Sequence, residues 1–200
     1  MPSIRSLGLL APGIALAVLL VGSRVVPTGA QPATPTSAAA AACTIAPRSL
    51  DQIAALASTP TASMTPIPGG GAPAAPDVVA AVTDTVRMAV ACANANDPLR
   101  SFALFTDRYL AERFGSAHPD DLGSLFAALS RQPTPAETAD VLTLVDVREV
   151  RMPAENLAIA SVVTENRSAR YVDRLAFQLV DDRWLIDQWS PAEDGATPIA

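Results

Sequence analysis

Three aspartates stand in runs whose alternation is that of β-strands: Asp146, Asp173 and Asp187. A carboxylate held against an apolar wall is disfavoured as an anion, so its pKa rises and it can act as acid or base. Tyr109, in a helical run, and Tyr171, in a strand run, are hydroxyls that could partner such a group. Each Asp also has an Arg close in sequence (Arg148, Arg174 or Arg183), and ion pairs on a solvent-facing sheet account for them as well. His118 is the sole His. Its setting, SAHPDD, reads as a loop leading into a helix, with no nucleophile or partner placed beside it.

Other chemistries lack their residues. Gly69–Gly71 lie in a Pro-rich linker, without the strand and helix that a phosphate loop requires. Neither a nucleophile elbow nor an HExxH pair occurs, and no cofactor or metal is implied. Cys43 and Cys92 are the only cysteines, too far apart for a redox CxxC. An isolated pair in an exported chain reads as a disulfide, the alternative being two inert buried thiols.

Export is suggested by residues 1–30. Arg5 precedes an apolar stretch from Leu7 to Val21, and Thr28-Gly29-Ala30 offers small residues before Gln31. The stretch is short for a membrane span, so a cleaved signal is expected, with an uncleaved anchor as the alternative. Lipidation at Cys43 fits poorly, because some twenty residues separate it from the apolar stretch. All 14 basic residues are Arg, a high-GC bacterial bias, and the net charge is −6. An acidic chain without a basic face is not a nucleic-acid binder.

The elements that must position these groups follow from periodicity. Residues 31–42 are a low-complexity tether. Ser49 and Gln52 form a capping-box pair ahead of Leu50, Ile53 and Ala57, a short helix. Residues 58–76, rich in Pro and Gly, form a linker. Asp77 is the expected N-cap of a long helix carrying Val79, Val82, Val86 and Val90. Asn94 and Asn96 end it. Asp97-Pro98 opens a second helix with Leu99, Phe102 and Phe105, and Thr106 caps a turn bearing Tyr109, Leu110 and Phe114. Leu122, Leu125, Phe126 and Leu129 stripe a further helix, and Thr134-Pro135-Ala136-Glu137 reads as a small capping box. From residue 140 the period becomes two. Four strand runs are separated by Pro153-Ala154-Glu155, Asn166-Arg167-Ser168 and Asp181-Asp182, an antiparallel meander. Residues 191–200 form a tail. Strict alternation sends Trp184 and Trp189 to opposite faces, one to the core and one to a ligand or the sheet edge.

The order of these elements resembles the nuclear transport factor 2-like, or SnoaL-like, superfamily over residues 77–190. The likeness rests on a long helix ending in ANAND, then LRSFALFTDRYL, then a sheet closing on RWLIDQW. In particular the chain is similar to secreted bacterial members with an extra Cys-bearing N-terminal segment. The resemblance implies an α+β cone, with helices packed on a curved antiparallel sheet of about four strands, cystatin-like in outline. It also implies a pocket between the helices and the concave face, and frequent dimerisation through the sheet. Functions in the superfamily run from isomerases, dehydratases and hydrolases to noncatalytic binding modules.

Two functions are therefore carried forward. The first is an exported noncatalytic module for a small apolar molecule or a protein partner. The second is an enzyme using a pocket Asp, with Asp173, Asp187 and Tyr109 as candidates. Alternation groups Tyr171, Asp173, Leu175, Phe177 and Leu179 on one face of a strand. Turning that face inward buries more apolar area without burying Arg174, so Tyr171, Asp173, Leu175 and Phe177 are the expected ligand wall.

Overall fold

The computed structural model describes residues 41–59, 66–115, 119–191 and 197–198. The expected export signal, most of the tether, part of the linker, most of the tail and His118 lie outside the described residues. The architecture is α+β. Helices α1 (Leu50–Ala57), α2 (Pro76–Asn94), α3 (Pro98–Phe102), α4 (Asp107–Gly115) and α5 (Pro119–Leu129) accompany an open antiparallel sheet. Its four long strands are β2 (Thr143–Ala154), β3 (Leu157–Glu165), β4 (Ala169–Val180) and β5 (Arg183–Pro191). Two short strands join them. β1 (Ala72–Pro73) pairs with β2, and β6 (Thr197–Pro198) pairs with β4, giving the order β1-β2-β3-β4-β5 with β6 off the path.

The turns follow local chemistry. Asp181 and Asp182 both adopt positive φ, 48° and 61°, as a tight hairpin between right-twisted strands requires. Asn166 Oδ1 accepts hydrogen bonds from the backbone N–H groups of Ser168 and Ala169, closing the β3–β4 turn. The β2–β3 turn falls at Glu155-Asn156, two residues beyond the expected position of its start. Pro153 lies inside β2, which has little pairing on its outer side, and an edge strand tolerates a residue without an N–H.

Helix starts obey their caps with two exceptions. Ser49 and Gln52 form the full reciprocal box, and Asp97 accepts from the Arg100 N–H. The long helix begins earlier than expected: Ala75 is the N-cap, Pro76 occupies N1, and Asp77 sits in the first turn, where its charge favours the helix dipole. Thr134–Glu137 starts no helix and belongs to the irregular connection before β2. That connection is held from α2. The Asn94 amide donates to Leu142 O and accepts from Leu142 N, both at 2.8 Å, imitating a strand pair.

The main core lies between α2 and the sheet. Val82 and Val86 pack with Ala158, Ala160, Val162, Leu175, Phe177, Trp184 and Ile186. Phe177 is fully buried, so the strand face carrying Asp173, Leu175 and Phe177 does turn toward the helices. A second core joins Ile53 of α1 to Leu110 and Phe114 of α4 and Leu129 of α5. The Cys-bearing segment thus shares the packing of the folded domain. It is fastened there by a disulfide between Cys43 and Cys92, whose Cα atoms lie 4.7 Å apart. Arg100 adds a hydrogen bond to Cys43 O.

The bridge spans 49 positions, so on chain-entropy grounds it stabilises the fold by about 4 kcal/mol. The Cys43→Ser/Cys92→Ser double variant should lose roughly that amount in urea unfolding. A loss under about 1 kcal/mol would show that α1 docks without the staple.

Candidate functional site

A cavity of about 530 Å³ opens where the N-terminal half of β4 and the end of β5 meet α3 and α4. Phe102, Phe105, Tyr109 and Phe114 supply its aromatic wall, and Asp173, Trp189 and Pro191 supply its sheet side. Leu110 and Arg113 complete the lining. Helical spacing explains the α4 contribution, since Tyr109, Leu110, Arg113 and Phe114 fall on one side of a 3.6-residue helix. The rings brace one another: Phe105 stacks on Tyr109 with centroids 5.1 Å apart, and Phe102 meets Phe114 edge-on at 5.3 Å.

Trp189 reaches this cavity because β5 does not alternate strictly. Phe177 pairs with Ile186, but Ala176 pairs with Gln188, leaving Asp187 as an extra residue. The bulge returns Trp189, opposite Leu175, to the same face as Trp184, opposite Leu179. The expectation of opposite faces is therefore corrected, and the cause is that single inserted position. Trp184 is buried in the core, whereas Trp189 remains 51% exposed at the cavity.

Asp187 itself is structural. Only 7% exposed, its carboxylate accepts from Thr106 Oγ1 at 2.6 Å and is paired with the Arg108 guanidinium. Thr106 Oγ1 also accepts from Tyr109 N, capping α4. The chain on either side is held by Thr106 N to Ile186 O and Ile186 N to Leu104 O. These bonds commit Asp187 to the junction of α4 and β5 and aim α4, with Tyr109, at the cavity.

Asp173 is different. Burial pushes its pKa above the ordinary carboxylate value, and a hydrogen bond from the Trp189 side chain opposes that shift without cancelling it. The Tyr109 hydroxyl is also pushed up, chiefly by burial, with the Arg113 charge working against it. The two residues line one cavity, but no hydrogen bond joins them among the described residues.

The remaining sequence candidates lie elsewhere. Leu175 and Phe177 share the face of Asp173, yet their side chains fill the core under α2 and do not line the cavity. Tyr171 receives a long hydrogen bond from Asn166 and is not part of the lining. Asp146 is exposed on β2. The expected wall of Tyr171, Leu175 and Phe177 is thus replaced by side chains from α3, α4, the connection between them and β5. Alternation within one strand identifies a face but not how far along it the helices make contact. Among the described residues no group of His, Cys, Asp and Glu could hold a metal ion.

Arg48 had no signature in the sequence. It donates to Phe102 O (2.9 Å) and Phe105 O (2.7 Å) and pairs with Asp107. It thereby fixes the backbone that presents two of the cavity rings. Neither a known protein family nor any curated protein matches this chain.

Two substitutions separate these aspartates. Asp187→Ala should cost about 2 kcal/mol, because it strands a buried hydroxyl and uncouples a half-exposed Arg108; urea unfolding reads it, and an unchanged midpoint would deny the knot its role. Asp173→Asn should act oppositely. A carboxyl with a raised folded-state pKa contributes stability at acid pH that is lost as pH rises through that pKa, so its charge is a burden at neutral pH. Asp173→Asn should therefore raise Tm at pH 7, and the gain should vanish as the pH falls below the ordinary carboxylate range. A fall in Tm at pH 7 would contradict this.

Proposed function

We propose that this chain is an exported, noncatalytic binding domain whose cavity takes a small, largely apolar molecule, with Asp173 as the polar anchor. The observation that carries the reading is the aromatic cavity with one half-buried carboxylate at its sheet side. Its size falls within the ordinary range for small-molecule sites. Export is supported by the leader-like residues 1–30 and by the Cys43–Cys92 bridge, which fits an oxidising, extracytoplasmic setting. Among the described residues no helix is long and apolar enough to cross a membrane. A long helix, three shorter helices and a following meander are compatible with a nuclear transport factor 2-like cone. We keep it as the proposed relationship, together with dimerisation through the sheet.

The enzyme reading draws on the raised pKa of Asp173 and the presence of Tyr109 in the same cavity. Against it, the donor that Asp173 meets is an indole, which holds a carboxylate but does not relay a proton. A binding anchor needs only that donor.

The experiment uses protein recovered from the extracytoplasmic fraction, whose intact mass should begin at Gln31. Small aromatic alcohols such as 2-phenylethanol should raise its Tm and change tryptophan fluorescence. Trp189→Ala, a substitution at a half-exposed position, should weaken that binding about tenfold while keeping the fold. A probe that binds the variant equally well occupies another site and would overturn the assignment.

A further inference from the structure

Three aspartates at this end of the molecule are matched with arginines. Asp187 pairs with Arg108, Asp107 with Arg48 and Asp97 with Arg100. Asp173 is not matched in this way. It forms no ion pair among the described residues, and its partner is the neutral indole of Trp189. Arg113 lines the same cavity but is exposed and does not pair with Asp173. The sheet side of an aromatic cavity thus holds a half-desolvated negative charge that the protein leaves without a cation.

Such a charge is disfavoured unless something positive meets it. Aromatic rings add to the preference, because their faces are electronegative and attract cations, most strongly Trp and Tyr. The chain as a whole is acidic, which raises the local concentration of cations and disfavours anions. We propose that the cavity is selective for an organic ammonium ion with a compact apolar body, the N–H groups meeting the Asp173 carboxylate and the apolar part lying among the rings. This rests on the cavity being a small-molecule site, and it adds the charge and the donor group of the ligand. Phe102, Phe105, Tyr109 and Phe114 give the apolar part its place, while Trp189, which bonds Asp173, borders the charged end. Arg113 acts against the ligand from the exposed rim and so limits affinity without supplying an anchor.

Three probes of similar size and different charge test this on the full exported chain by isothermal titration: 2-phenylethylammonium chloride, 2-phenylethanol and 3-phenylpropionate. The ammonium should bind about tenfold more tightly than the alcohol, a gap typical of one charge-assisted hydrogen bond, and the carboxylate should bind weakest. Asp173→Asn should bring the ammonium down to the affinity of the alcohol. Arg113→Gln, at an exposed position, should strengthen ammonium binding about twofold and serves if the first variant is poorly folded. Equal affinities for ammonium and alcohol in the unmodified protein would overturn the ammonium inference and leave the cavity reading intact. Tightest binding of phenylpropionate would also overturn it and would make Arg113 the anchor. If none of the three binds, the cavity reading falls with it.

Discussion

Asp187 occupies the extra position of a bulge in β5, and its carboxylate is held by Thr106 and Arg108. Much of the cavity depends on that arrangement. Without the inserted residue, alternation would turn Trp189 to the outer face, and Asp173 would lose its indole donor. Without the carboxylate, Thr106 would keep its capping bond to Tyr109 N but lose the tie that sets α4 against the sheet. A buried charge with several hydrogen bonds is strongly directional, whereas apolar packing alone would let α4 slide. The bulge therefore couples the placement of one strand residue to the angle of one helix.

The N-terminal segment reinforces the other side of α4. Ile53 of α1 packs against Leu110 and Phe114, which lie under or within the aromatic wall. The segment is anchored upstream by the Cys43–Cys92 bridge and by Arg48, whose guanidinium meets the carbonyls of Phe102 and Phe105. Hydrogen bonds to those carbonyls hold a short stretch of chain that has little regular structure of its own. A five-residue helix such as α3 is too short to persist by helix propensity, so its shape comes from these contacts. The segment thereby becomes part of what shapes the cavity.

Asp173 and Asp187 sit in neighbouring strands and began with the same chemical promise. Their environments separate them. Asp187 is drawn into a network that ties both of its carboxylate oxygens to Thr106 and Arg108. Asp173 faces rings, keeps one neutral donor and carries a desolvation penalty that this donor only partly offsets. Proteins tolerate such a penalty where a ligand later offsets it, which is why an unmatched carboxylate in an apolar wall draws attention to function.

The sequence by itself determined the features that arise from local rules. Capping chemistry located the starts at Ser49, Asp97 and Thr106, period two announced the meander, and two cysteines in a chain with a leader-like start implied their bridge. Alternation also chose the inward face of β4 correctly, because burying Phe177 outweighs any arrangement that buries Arg174. Local rules failed where a distant partner was decisive. Thr134–Glu137 carries a helix-start signature, yet the connection there is held by Asn94 from another element. The wall residues Phe102, Phe105 and Phe114 looked like ordinary helix core, and only the packing of α3 and α4 across the end of the sheet set them around Asp173. Trp189 was displaced from its expected face by one unpaired residue, which no periodicity reveals. Register, bulge position and helix docking are set by contacts between residues far apart in the chain, so the strand face could be read from sequence while the cavity required the tertiary structure.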